Sequence, residues 1–228
     1  MELNNYIDHT NLKKDATSED IMRLCDEAVK YHFQSVCVYP YYVKAVKEYL
    51  KDSNVEVCTV VGFPNGASTT NTKVYEAIDA IDNGATEIDM VINICALKNK
   101  DYDYIKKEIS EIRDAIAGKT LKVIIEECLL TDEEIIKMTE ICNETYVNFI
   151  KTSTGFDKHG ATIHTVDLIN KYKNEVLEIK ASGGIRTIEE VEDFIKHGVT
   201  RIGTSSGVDL MNIDEAIHEH ECPCCEED

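Results

Sequence analysis

Two lysines stand in sequence surroundings that predict chemistry rather than solubility. Lys151 lies in the segment NFIKTSTG (residues 148–155), and Lys180 lies in EIKASGG (residues 178–184). Each lysine interrupts a short apolar run that passes into small residues and glycine, which is typical of a buried strand that opens onto a polar site. Because an ammonium without a partner is costly to bury, both lysines are candidate functional groups.

A carboxylate joins these amines. Asp89 lies in a similar run, EIDMVIN at residues 87–93. Alternate side chains of a strand share one face, so Asp89, Lys151 and Lys180 would point to the inner side of a sheet whose outer side carries isoleucines. The charge on one amine disfavours a charge on a close second amine, and a neutral amine is a nucleophile towards aldehydes. The three residues therefore predict Schiff-base chemistry.

A purely structural interpretation stands beside this hypothesis. A buried Lys–Asp salt bridge could simply complete the core, although it would leave the second lysine unexplained. Lys122 also lies in an apolar run, LKVI at residues 121–124. Since it begins its strand, we expect Lys122 at the stability face of the fold and assign it no catalytic role.

Small residues follow the last two predicted strands, at residues 182–184 (SGG) and 203–207 (GTSSG). Glycine lets backbone N–H groups approach a ligand, and a helix N-terminus adds partial positive charge. These loops are therefore candidate phosphate sites, although ordinary turns use the same residues.

The elements that must position these groups alternate between helix and strand along the whole chain. Apolar residues at three-and-four spacing indicate helices, and capping boxes predict helix starts at Thr131 and Thr187. Eight short runs, apolar on both faces, predict strands near residues 6–8, 35–39, 55–62, 87–93, 121–126, 148–153, 178–182 and 201–205. This pattern predicts an α/β fold, a single-domain (β/α)8 TIM barrel. An open doubly wound sheet is the alternative, but its dinucleotide fingerprint is missing.

Composition excludes several partners. The chain of 228 residues is 43% hydrophobic and carries a formal net charge of -19, which argues against nucleic acid and anionic membrane surfaces. The first residues are polar, unlike a signal peptide, and no apolar run could span a bilayer. We expect a cytoplasmic protein whose nine cysteines are reduced.

Six motifs in order carry a family resemblance: IDHT (7–10), VGFP (61–64), EIDMVIN (87–93), FIKTSTG (149–155), KASGGIR (180–186) and RIGTSS (201–206). Over roughly residues 5–217 the sequence resembles the class I deoxyribose-phosphate aldolases. The resemblance implies reversible cleavage of 2-deoxy-D-ribose 5-phosphate to D-glyceraldehyde 3-phosphate and acetaldehyde, without metal or cofactor. It also implies a homodimer or a higher homo-oligomer.

The resemblance also implies residue roles. By motif match, Lys151 forms the Schiff base, Lys180 tunes it, and Asp89 donates or accepts protons. The phosphate and substrate contacts carried over are Gly183, Gly184, Ser205, Ser206, Thr154, Gly155, Asp8 and Cys37. Asn65 departs from the family pattern and is a candidate determinant of substrate preference.

We expect residues 1–217 to form the barrel and residues 218–228 to form an acidic, disordered tail. The tail is rich in cysteine and histidine, so metal binding there is an alternative. Other functions left open are a different Schiff-base aldolase or a transaldolase, a sugar-phosphate sensor on an inactive barrel, and an interaction protein that acts through the tail.

Overall fold

Eight parallel strands close into a barrel in chain order, with the last strand paired to the first. The computed structural model describes residues 2–220, and side chains over residues 2–214. The strands are β1 Ile7–Asn11, β2 Ser35–Val38, β3 Glu56–Val61, β4 Glu87–Val91, β5 Thr120–Ile124, β6 Phe149–Lys151, β7 Glu178–Ser182 and β8 Arg201–Thr204. The predicted barrel is confirmed, and the open sheet is excluded.

Helices follow the strands and cover the outside of the barrel. Within the described residues they are α1 Ser18–Tyr31, α2 Val43–Tyr49, α3 Thr70–Asp82, α4 Ile94–Lys98, α5 Tyr102–Ala115, α6 Asp132–Glu144, α7 Ile163–Tyr172, α8 Ile188–Lys196 and α9 Gly207–His220. Short 3-10 helices span Leu3–Tyr6, Pro40–Tyr42 and Glu127–Leu129. No helix of residues 2–220 combines the length and apolar character needed to cross a bilayer.

Local sequence signals explain where several helices start. Thr131 and Thr187 form the predicted capping boxes, and Thr17 forms a third with Asp20. In each box the threonine side chain accepts from the N3 backbone N–H, and the N3 carboxylate accepts from the backbone N–H of the threonine. The starts of α1, α6 and α8 are therefore fixed by local sequence.

The two faces of the strands differ in chemistry. Outward residues such as Ile88, Met90, Ile150 and Ile179 are fully buried against the helices and supply the main apolar core. The inner face carries acidic and basic side chains instead, with Asp89 among them. The barrel interior is therefore a polar site enclosed by an apolar shell.

The end of the chain extends the predicted barrel domain. Helix α9 continues to His220, so residues 218–220 belong to a helix that crosses the predicted boundary at residue 217. Residues 221–228 lie outside the described part of the chain, as do all side chains after residue 214. The proposed metal site of the tail falls in this region and stays a prediction.

Candidate active site

Three inward side chains from three strands meet at one carboxylate oxygen. Asp89 Oδ2 accepts hydrogen bonds from Lys151 Nζ and Lys180 Nζ, each at 2.8 Å. Strand β4 supplies Asp89, while β6 and β7 place the two lysines as register partners. Asp89 and Lys180 are fully buried, and Lys151 is 3% exposed. The barrel therefore brings together the three residues that strand parity selected.

Lys122 corrects one expectation. Its side chain enters the same cluster, where Nζ lies 2.9 Å from Asp89 Oδ1 and 2.5 Å from Glu87 Oε2. The assignment of Lys122 to a separate stability face was wrong because Lys122 and Asp89 are register partners on neighbouring strands. An inward side chain there reaches the carboxylate whether or not it starts its strand.

A second carboxylate continues the cluster towards β1 and β8. Asp8 accepts from Lys180 at 2.5 Å, from Arg201 at 2.7 Å and from the Ser35 hydroxyl at 2.7 Å. Arg201 also lies 3.2 Å from Glu87. Asp8 is fully buried and does not line the cavity described below, so it contacts Lys180 rather than solvent.

The cluster contains more cationic groups than carboxylates. Within the described residues, Lys122, Lys151, Lys180 and Arg201 face the carboxylates of Asp8, Glu87 and Asp89. Four against three leaves one positive charge in excess when all are ionised. The loss of one proton from an amine would balance the cluster.

The pKa shifts indicate which groups stay charged. Burial raises the pKa of Asp89, but three surrounding ammonium groups outweigh burial and hold it well below its ordinary value. Burial lowers the pKa of Lys180, but Asp8 and Asp89 outweigh it and raise that pKa above its ordinary value. The sequence predicts that one amine suppresses the charge of the other directly, but Asp89 lies between them and Lys180 stays protonated. Within the described residues, the one carboxylate that pairs with Lys151 is Asp89, which Lys151 shares with Lys180.

A cavity of about 420 Å³ opens above this cluster, a volume suited to a small metabolite. Lys151 lines its floor, and Thr154, Gly155, Gly183, Gly184 and Ser205 line its wall. Lys13, Arg23 and Arg186 line the same cavity, as do the carboxylates Asp20, which pairs with Arg23, and Glu27. Lys151 and the glycine-rich wall therefore share one solvent-accessible space with side chains of both charges.

Free backbone N–H groups make this wall suited to an anion. Within the described residues no hydrogen-bond acceptor is found for the N–H groups of Gly155, Gly183, Gly184, Ile185 and Ser205. Tight glycine contacts build the wall, since a Cβ on Gly160 would lie 1.8 Å from the Gly183 carbonyl oxygen. Several free donors in one concave wall are the kind of backbone arrangement that suits an anion.

Cys37 and Ser206 lie away from the cavity. Cys37 is fully buried inside the barrel, and the Ser206 N–H already donates to Thr204 Oγ1 at 3.0 Å. Ligand atoms of Cys37, Cys58 and Asp89 lie within 4.8 Å of one another. The ammonium groups that occupy both Asp89 oxygens would repel a metal ion, so this group fits a metal poorly.

Sequence reasoning missed three members of the site. Arg201 and Glu87 complete the charged cluster, and both stand at inward positions that strand parity could have found. Glu126 was assigned to no site, yet it is buried and accepts from the Thr154 backbone N–H at 3.2 Å. It follows its strand in a left-handed conformation that no simple pattern reveals.

Known proteins share this architecture over nearly the whole chain. A family model described as DeoC/LacD family aldolase matches residues 3–211. The deoxyribose-phosphate aldolases of Finegoldia magna and Thermococcus gammatolerans are 55% and 52% identical, covering 92% of this chain in both cases and 99% and 96% of their own lengths. The solved tetrameric structure of deoxyribose phosphate aldolase from Aeropyrum pernix is 29% identical, with a TM-score of 0.87, and covers 94% of this chain and 92% of that chain.

Proposed function

The chain belongs to the DeoC/LacD family of aldolases, and we propose from this premise how its barrel interior works. It is an aldehyde-lyase that reversibly cleaves 2-deoxy-D-ribose 5-phosphate to D-glyceraldehyde 3-phosphate and acetaldehyde through a lysine Schiff base. The observation that supports the residue roles is the convergence of two lysines on one buried carboxylate oxygen.

Lys151 is the nucleophile in this proposal. It lines the cavity, whereas Lys180 and Lys122 are fully buried. Neutral Lys151 adds to the aldehyde carbon of the open-chain sugar, and loss of water gives an iminium. The iminium accepts the electron pair of the C2–C3 bond as the C3 hydroxyl loses its proton. Glyceraldehyde 3-phosphate leaves, and an enamine of acetaldehyde remains on Lys151.

In this proposal Asp89 accepts and donates protons, and Lys180 stays charged beside it. Every neutral stage at Lys151 removes one of the ammonium groups that lower the pKa of Asp89, so the carboxylate becomes a better proton acceptor at those stages. Lys180 keeps its charge because two carboxylates hold it. Protonation of the enamine carbon and hydrolysis of the iminium then release acetaldehyde and regenerate the amine.

The phosphate binds at the wall of free N–H groups. Residues Gly155, Gly183, Gly184 and Ser205 offer donors there, and Arg186 adds charge at the cavity. A fixed phosphate would hold the carbonyl carbon over Lys151, which lowers the entropic part of the barrier. Ser206, Asp8 and Cys37, which do not line the cavity, would act on the substrate only through their neighbours.

Reductive trapping tests the proposal. Acetaldehyde and cyanoborohydride should leave one ethyl group on the peptide that contains Lys151, as located by mass spectrometry. The Lys151→Ala variant should lose both trapping and acetaldehyde release from 2-deoxyribose 5-phosphate. Lys137→Ala is a matched control, because Lys137 lies on the outer helix α6 and pairs with Glu140. Undiminished trapping in Lys151→Ala would assign the chemistry to another lysine.

The same assay separates the alternatives. A sugar-phosphate sensor would bind the substrate without releasing acetaldehyde, and a transaldolase would release little acetaldehyde without an acceptor sugar. We further propose a cytoplasmic homo-oligomer, at least a dimer. The tetrameric Aeropyrum pernix structure supports assembly of this kind, and light scattering of the purified chain would measure it.

A further inference from the structure

Glu126 holds the cavity wall without lining it. It follows β5 and adopts a left-handed backbone conformation, with φ 54° and ψ 66°, which is uncommon for a residue with a side chain. Only 4% of its surface is exposed. A buried carboxylate in a strained backbone position is a feature that a fold keeps at functional sites.

Both carboxylate oxygens of Glu126 are engaged by one residue. Oε1 accepts from the Thr154 backbone N–H at 3.2 Å, and Oε2 accepts from the Thr154 hydroxyl in a short hydrogen bond. Since the hydroxyl proton is directed at Glu126, Thr154 Oγ1 turns a lone pair towards the Phe156 N–H, which donates to it at 3.1 Å. Glu126 thus fixes the turn of residues 154–156 through two successive hydrogen bonds, one from the Thr154 hydroxyl to Glu126 and one from the Phe156 N–H to Thr154.

This arrangement leaves one donor of the turn available. The N–H groups of Thr154 and Phe156 are occupied, whereas that of Gly155 donates to no described residue. Gly155 has φ 84° and lines the cavity. Its Cα also packs near Gly183, where a Cβ on Gly183 would lie 3.4 Å away. The Gly155 donor is therefore held beside the free donors of the second loop.

We propose that Glu126 is a positioning residue for the substrate phosphate: it clamps Thr154 so that the Gly155 N–H faces the anion. The inference rests on the proposed phosphate site. The carboxylate itself would repel a phosphate, so its contribution comes from geometry rather than from charge. Its effect should appear with phosphorylated substrates and vanish with unphosphorylated ones.

The test compares two substrates. Glu126→Ala should raise KM for 2-deoxyribose 5-phosphate by about tenfold, as expected for the loss of an ordered hydrogen bond to a charged group. On unphosphorylated 2-deoxyribose, kcat/KM should change by less than about twofold. The Ki of inorganic phosphate as a competitive inhibitor should rise in parallel with KM. Equal losses on both substrates, or no loss on either, would overturn the proposal.

Two further variants sharpen this test. Glu127→Gln is the matched control, because Glu127 is the adjacent residue with the same 4% exposure and makes no hydrogen bond to Thr154 within the described residues. Glu127→Gln should leave unchanged the ratio of kcat/KM on 2-deoxyribose 5-phosphate to kcat/KM on unphosphorylated 2-deoxyribose. Glu126→Gln keeps one acceptor oxygen, so its KM should fall between those of wild type and Glu126→Ala, and it carries the test if the alanine variant does not fold.

A double-mutant cycle addresses the route of the effect. On a Thr154→Val background, Glu126→Ala should raise KM for the phosphorylated substrate no further, because the clamp is already broken. Additive effects would mean that Glu126 acts independently of Thr154. Acetaldehyde trapping at Lys151 should persist in all of these variants. Its absence from the wild-type protein would count against the proposed function rather than against the role of Glu126.

Discussion

The protein buries two groups of ionised side chains, and they behave in opposite ways. Inside the barrel, Asp89 meets three ammonium groups, and its pKa falls well below the ordinary value despite burial. Outside the barrel, Lys73 and Glu108 pair at 2.9 Å with both side chains fully buried, and Glu76 is a second, more weakly acting carboxylate near Lys73. There burial prevails, lowering the pKa of Lys73 and raising that of Glu108.

The difference lies in the number of partners. One opposite charge in contact does not offset the desolvation of Lys73 or Glu108, whereas three offset that of Asp89. The outer pair also holds backbone groups, since Lys73 donates to the Val91 carbonyl at 2.8 Å and Glu108 accepts from the Asn93 N–H at 3.2 Å. We interpret the outer pair as a structural tie at the end of β4. The inner cluster keeps Asp89 and Lys180 ionised and sets four cationic side chains against three carboxylates beside the cavity.

Removing the shared carboxylate should have the largest effect. Asp89→Asn leaves the three lysines without their common negative charge and removes the proposed proton acceptor, so kcat should fall by roughly 10³-fold. Steady-state kinetics on 2-deoxyribose 5-phosphate would measure it. A variant that keeps more than about a tenth of wild-type kcat would show that Asp89 only fills space.

Breaking the outer pair should affect stability rather than chemistry. Lys73→Met leaves Glu108 buried without its partner, which should lower the free energy of unfolding by about 3–5 kcal/mol. Urea unfolding measures this loss, and kcat of the folded fraction should stay close to wild type. The double variant Lys73→Met/Glu108→Leu should recover part of the stability. A loss of kcat as large as that of Asp89→Asn would erase the distinction between the two groups.

Glu127 is a carboxyl for which burial outweighs its favourable contacts with Thr162, Thr165 and His159. Burial raises its pKa from 4.5 to about 7. This shift means that folding disfavours the ionised form of Glu127, relative to the protonated form, by about 3 kcal/mol. Because the folded protein binds this proton more tightly than the unfolded chain, the stabilisation is present at low pH and is lost as pH rises through about 7. Relative to Glu127→Gln, wild type should therefore become less stable between about pH 4.5 and about pH 7. Parallel urea titrations of both proteins would contradict this if their difference stayed constant.

Lys122 tests the charge surplus with the smallest expected effect. Lys122→Met removes one cation and leaves three cations facing three carboxylates, so the cluster no longer has the excess positive charge that favours a neutral amine. Trapping by acetaldehyde should slow by roughly tenfold at neutral pH. Lys119→Met is a suitable control because Lys119 is exposed next to β5. If Lys122→Met were trapped at the wild-type rate, the excess positive charge of the cluster would have no part in the mechanism.

The sequence could predict the barrel and its three central residues for physical reasons. Continuous apolar strands and strand parity are local signals, and they placed Asp89, Lys151 and Lys180 on one face. Lys122 was misplaced because its contact with Asp89 depends on the register between neighbouring strands. Glu126 was missed because a left-handed residue after a strand has no periodic signature. The distinction between Ser205, at the cavity, and Ser206, away from it, likewise needed coordinates.

Closure of the barrel joins the first strand to the last, and this has a consequence for synthesis. Asp8 contacts Lys180 and Arg201, which lie 172 and 193 residues later in the chain. A nascent polypeptide in which β8 has not yet been synthesised lacks the closed barrel and the contact between Asp8 and Arg201. Lys151 would behave there as an ordinary surface amine. Aldehyde reactivity would thus switch on only once translation has supplied the whole ring.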